Sequence, residues 1–152
     1  MYKVHLKGKK IAALLAWANL RGYDEAEVTY EDGTNEDYIM HCEISTKWDA
    51  NPFVGEPKTW NGEVKDLSEY DEDSIRNGMY YDALEGYDAQ YLSGYLGLDI
   101  EMLNIPDDDG VPVCVFNKYQ NGECVEDSRF ANEEFEMDTS MFQIDPWHDF
   151  SF

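Results

Sequence analysis

The chain has 152 residues, 43% of them hydrophobic and 14% aromatic. That size and composition can bury a core without disulfide or metal staples, and they exclude an unfolded acidic tail. Its 33 Asp and Glu against 11 Lys and Arg give a formal charge of −22, which repels nucleic acid and anionic membranes and makes a basic protein the natural complement.

The length suggests one domain spanning residues 1–152. Cys42, Cys114 and Cys124 are odd in number and lack paired spacing, which argues against a disulfide framework and for a reducing, cytoplasmic compartment. The charge is uneven. Residues 1–21 carry Lys3, Lys7, Lys9, Lys10 and Arg21 and no acid, whereas residues 66–152 hold 22 of the acids and only three bases, Arg76, Lys118 and Arg129.

In chain order, Tyr2, Val4 and Leu6 alternate with Lys3, His5 and Lys7, which predicts a strand over 2–6. Ile11, Leu14, Leu15 and Ala18 follow helical spacing, predicting a helix over about 9–21 closed by Gly22. The same stretch mimics a signal peptide, with a basic start, a short apolar run and Ala16-Trp17-Ala18, but the strand and helix periodicities compete with that reading. No apolar run approaches membrane-spanning length. Val28 and Tyr30, the turn-rich 31–35 and the strand-like "DYIMHCEI" form a hairpin signal. The opening third is thus expected to be a β-α-β-β unit.

Residues 45–65 contain Pro52, Gly55, Pro57 and Gly62 with Trp48, Phe53 and Trp60. They read as a long surface loop pinned by aromatic anchors, with room for a short strand near 59–64. Asp73 or Ser74 is placed to cap a helix running from about 74 to 96. In it Tyr80, Leu84, Tyr87, Tyr91 and Tyr95 form one stripe and Asp82, Glu85 and Asp88 another face, so the tyrosines are expected to pack inward and the acids to ride outside. Gly78, Gly86 and Gly94 weaken that helix by about 1 kcal/mol each. "LDIEMLNIP" fits a strand or a helical turn. "VPVCVFNKYQ", the Asn121-Gly122 turn and "ECVEDSRF" predict a hairpin, and the aromatic tail "FQIDPWHDFSF" is expected to pack down. The expected fold class is therefore α+β, with the β-α-β-β unit, a central amphipathic helical region and a C-terminal antiparallel hairpin packed together.

Catalytic chemistry finds little support. There is no phosphate loop, nucleophile elbow or dinucleotide fingerprint. His5, His41 and His148 with the three cysteines lack zinc-ligand spacing. "DDDG" at 107–110 fails the calcium-loop pattern because Ile105 and Phe116 stand where acids are needed. No catalytic residue, metal or cofactor is expected. The acids are densest at Asp66, Glu69, Asp71, Glu72 and Asp73, at Asp82, Glu85 and Asp88, and at Glu133, Glu134, Glu136 and Asp138. These twelve are the expected partner-binding residues. Carboxylates three or four apart on a helix stand roughly 5–6 Å from one another, near the phosphate spacing along one DNA strand. Reversing Asp82, Glu85 and Asp88 is expected to matter far more than reversing Asp24 and Glu25.

In its size, charge and acid clusters such as "SEYDEDS" and "NEEFEMD", the chain resembles the small acidic counter-defence proteins of phages and mobile elements, which include anti-restriction DNA mimics and anti-CRISPR inhibitors. The resemblance implies a non-catalytic inhibitor in the cytoplasm of a bacterial host cell. It would occupy the basic nucleic-acid-binding groove of a nuclease or defence complex, with no direct contact to nucleic acid or membrane. The basic N-terminal segment departs from that pattern and leaves open a structural layer, a contact with an acidic neighbour, or a homodimer contact. Rival readings are an immunity or antitoxin protein that neutralises a basic toxin, an acidic protein of a saline cytoplasm, a structural virion component, and an unrecognised enzyme.

Overall fold

The computed structural model describes residues 1–106 and 113–131. The expectations for Asp107-Asp108-Asp109-Gly110, for Glu133, Glu134, Glu136 and Asp138, for His148 and for the aromatic tail lie outside the described residues. The protein is mixed α+β. Its elements are β1 (Tyr2–Gly8), α1 (Lys10–Ala18), β2 (Glu27–Gly33), β3 (Tyr38–Ile44), a 3-10 turn at Lys47–Asp49, α2 (Glu72–Arg76), α3 (Ala89–Tyr95), β4 (Asp99–Asn104), β5 (Val113–Gln120) and β6 (Glu123–Ala131). The strands form one six-stranded sheet in the order β2-β3-β1-β4-β5-β6, with every neighbouring pair antiparallel. No helix among the described residues is long and apolar enough to cross a membrane.

Strand side chains alternate between faces. Val4 and Leu6 of β1, Met40, Cys42 and Ile44 of β3, and Ile100 and Met102 of β4 are buried in the same core as the apolar side of α1. The helices lie on that face: α1 packs over β1 and β3, and α3 over β4, β5 and β6. The out-of-phase positions make a different surface. Tyr30 pairs with His41, His41 with His5, His5 with Glu101, Glu101 with Lys118, and Lys118 with Glu126. One titratable residue from each strand thus forms a single row across the whole sheet.

The sequence "KIAALLAWA" favours a helix because alanine and leucine lose little freedom there. Ala12 to Ala16 are all buried, since α1 is covered by α2 as well as by the sheet. The helix ends at Asn19, not at Gly22. Asn19 is itself buried: its amide donates to the Leu15 carbonyl (2.8 Å) and the Tyr80 carbonyl (3.2 Å), and its oxygen accepts from the Leu84 N–H (3.0 Å). This side chain ties α1 to the 80–84 turn. Gly22 serves close packing instead, because a Cβ there would stand 2.3 Å from the Ser45 carbonyl oxygen.

The long helix expected over 74–96 is two short ones separated by turns. Gly78 (φ 83°) and Gly86 (φ 92°) adopt left-handed backbone, which stops a right-handed helix. Residues 59–64 form no strand. Within 45–65, Phe53 is a true core anchor, while Trp48 is 89% exposed and anchors nothing in the core. At the β5–β6 turn Asn121 and Gly122 both have positive φ, the geometry that this dipeptide favours.

Candidate functional site: the acid-bearing segment 66–88

Residues 66–88 sit on the core through Leu67, Tyr70, Ile75, Tyr80, Leu84 and Tyr87. The eight described acids expected to bind a partner occupy the intervening positions, all exposed or half-buried. Three have local backbone roles. Asp66 accepts from the Ser68 N–H (2.9 Å), Asp71 caps α2 through the Ser74 N–H (2.9 Å), and Asp88 caps α3 through the Tyr91 N–H (3.0 Å). The α2 cap is thus Asp71, not Asp73 or Ser74, because only the residue before the first turn points its carboxylate at the open N–H groups. These bonds hold the Asp66 and Asp71 carboxyls below the usual carboxylate range. They fix the carboxylates in place without cancelling their charge, since the donors are neutral.

Two acids are neutralised within the fold. Glu72 meets Lys10 at 2.8 Å and Arg76 at 3.0 Å, which together hold its carboxyl below the usual range. Asp82 meets Arg21 at 3.2 Å. The remaining three, Glu69, Asp73 and Glu85, are exposed and make no ion pair within 4.0 Å among the described residues, although Glu69 lies in the field of Lys65. The expected binding set therefore splits three ways: fixed anions, clamped anions and open anions.

The basic N-terminal segment supplies part of the clamp. Lys10 of α1 and Arg76 of α2 both grip Glu72, and Arg76 continues to Glu31 of β2 (2.9 Å). The Tyr38 hydroxyl also donates to Glu31 and is the main cause of that carboxyl's lowered pKa. Lys3 pairs with Glu43 at 3.5 Å. These cations join α1, α2 and the sheet and so act as a structural layer.

The tyrosines form a packed ladder. Tyr87 and Tyr91 stack at 4.8 Å, Tyr91 and Tyr95 meet at 5.3 Å, and Tyr70 meets Tyr80 edge-on at 4.6 Å. Lys58 lies over Tyr87 and Tyr91, and Lys65 over Tyr70 and Tyr95. Trp60 closes the same region. Its Nε1–H donates to the Glu63 carbonyl (2.7 Å), and its ring lies against Gly94 and Gly122.

Two constellations were missed by the sequence reading. One is the titratable row on the sheet face away from the helices. His5, His41 and Glu101 are buried in it, and the two imidazoles stack with centroids 3.8 Å apart. Burial drives the His5 pKa down to about 2, helped by His41 and Lys3. Burial likewise pushes Glu101 up to about 8 against the pull of Lys118, 3.5 Å away. The alternation of Lys3, His5 and Lys7 with apolar residues was visible, but the register that brings His41 and Glu101 beside His5 was not. The second is a cleft of about 420 Å³ at the C-terminal end of α1, between the 22–26 loop and the 78–81 turn. Among the described residues no group of three or more His, Cys, Asp or Glu is disposed to hold a metal ion.

Comparison with protein-family models, curated proteins and solved structures finds no match to this chain.

Proposed function

We propose that this protein is a non-catalytic inhibitor that binds the basic nucleic-acid-binding groove of a nuclease or defence complex in a bacterial cytoplasm, with the acid-bearing segment of residues 66–88, mostly turns around the short α2, standing in for the phosphate backbone. The observation that carries the reading is the state of the acids over 66–88. Asp66, Asp71 and Asp88 are immobilised by backbone N–H groups, and Glu69, Asp73 and Glu85 stand open among them. A charge array already fixed in place loses little entropy on docking. Its complement is a surface built to contact phosphates through lysine and arginine. The α+β arrangement of β-α-β-β unit, helical region and C-terminal hairpin serves as the stiff support.

The test is capture from a bacterial lysate with and without excess duplex DNA. The expected captured species are nucleic-acid-binding proteins, displaced by the duplex and by raised salt. Reversal of Glu69, Asp73 and Glu85 to lysine should abolish capture, while reversal of the exposed Glu27, Glu36 and Asp37 on the β2–β3 hairpin should not. Asp82 and Asp88 are poor choices for reversal, because one pairs with Arg21 and the other caps α3. Capture indifferent to salt and to duplex DNA would defeat the reading and favour a blocker of a single toxin active site.

A further inference from the structure

The cleft at the end of α1 has an apolar floor of Trp17, Leu20, Ala26 and Ile75. Arg21 and Arg76 stand in its walls, yet both are already engaged. The Arg21 guanidinium donates to the Ala18, Leu20 and Tyr81 carbonyls and to Asp82, and Arg76 is held by Glu72 and Glu31. The acids that line the cleft, Asp24 and Glu25, have no ion-pair partner among the described residues. The uncompensated charge of the cleft is therefore negative. Its rim is aromatic and open: Tyr23 is 66% exposed and Tyr81 is 54% exposed. Arg21 lies over the Tyr81 ring with its guanidinium carbon 3.6 Å from the centroid, so the fold already makes one guanidinium–phenol stack at this place.

We infer that this cleft receives an arginine side chain of the basic partner. The inference rests on the groove-blocking reading and adds a point of recognition to it. Arginine suits the cleft in three respects. Its methylene stem matches the apolar floor. Its planar guanidinium stacks on an open phenol ring and forks to a carboxylate. Its permanent charge complements Asp24 and Glu25. Lysine offers the charge and the stem but neither the plane nor the fork. The cleft thus gives the surface a preference that a diffuse field of acids lacks, because a field reads charge and not shape.

The test uses the full chain and two capped peptides, one with three arginines spaced by glycines and one with lysines in their place. Binding is followed by the Trp17 indole N–H resonance, assigned with Trp17→Phe, since that group lines the cleft and donates to the Ala26 carbonyl (2.8 Å). The arginine peptide should shift this resonance and bind about fivefold more tightly than the lysine peptide at about 150 mM salt. Tyr23→Ala, and separately Asp24→Asn with Glu25→Gln, should bring the two peptides level. These residues are exposed, so an unchanged melting temperature certifies the fold of each variant. Equal affinity for both peptides in the wild-type chain, or an arginine preference that survives both variants, overturns the inference. The two proposals fail separately. An arginine preference without duplex-displaceable capture leaves the cleft standing and removes the groove-blocking reading, and the reverse result removes the cleft alone.

Discussion

Glu101 and His5 face each other across β1 and β4, with Nδ1 and Oε2 4.0 Å apart, and burial keeps each toward its neutral form. Lys3, His41, Lys118, Asp99 and Glu126 are the charged and titratable groups that act on them. The folded Glu101 holds a proton up to about 8, against an ordinary value of 4.5. The stability linked to that proton is full below 4.5 and is lost as pH rises toward 8. The folded His5 resists protonation down to about 2, against 6.5. Its contribution is full above 6.5 and is lost as pH falls toward 2. Each proton changes stability by about 1.4 kcal/mol per pH unit inside its window. From 4.5 to 6.5 the two slopes oppose, so denaturant midpoints should be flat there and fall on both sides. Glu101→Gln should remove the alkaline fall between pH 6.5 and 8 and keep the acid one. A variant that still loses stability over that interval would place the alkaline titration elsewhere.

Helix α3 shows a conflict between local preference and packing. Alanine at position 94 would favour the helix by about 1 kcal/mol over glycine. A Cβ there, however, would stand 2.3 Å from the Trp60 ring, which is also pressed against Gly122. Overpacking of this kind costs about 1–3 kcal/mol, so Gly94→Ala should destabilise the wild-type chain and stabilise a Trp60→Ala background. A double-mutant cycle by urea unfolding checks the reversal of sign. The same stretch shows what a sequence reveals about elements. The tyrosine spacing located a packed aromatic face, since periodicity reports burial. It did not reveal that Gly78 and Gly86 break the helix, because a glycine in a periodic run reads as a weakness until its φ is known. Asn19 was silent for a similar reason: its bonds to Tyr80 and Leu84 join segments more than 60 residues apart. The acids at 66–88 were legible as charge. Their division into caps, clamped partners and open carboxylates was not, because that depends on which N–H or cation lies opposite.

At the scale of the whole molecule, a formal charge of −22 works against compactness. The clamp of Lys10, Arg76, Glu72 and Glu31 and the pair Arg21–Asp82 relieve part of that repulsion where α1, α2, β2 and the 80–86 turn meet. The chain should fold in dilute buffer, and its melting temperature should rise as salt shortens the Debye length from about 30 Å at 0.01 M to about 8 Å at 0.15 M. A melting curve showing an unfolded chain without salt would point to adaptation to a saline cytoplasm. A melting temperature that falls with salt would mean that the ion pairs outweigh the repulsion.

The band of ionisable side chains from Tyr30 to Glu126 also polices the threading of the strands. A slip of one residue in β1, β3 or β4 would turn His5, His41 or Glu101 into the oily interior and evict Val4, Met40 or Ile100 to the far side. Each misthreaded sheet would part His5 from the His41 ring stacked on it, or Glu101 from Lys118, and set the group against hydrocarbon instead, so the chain carries its own proofreading against the wrong alignment.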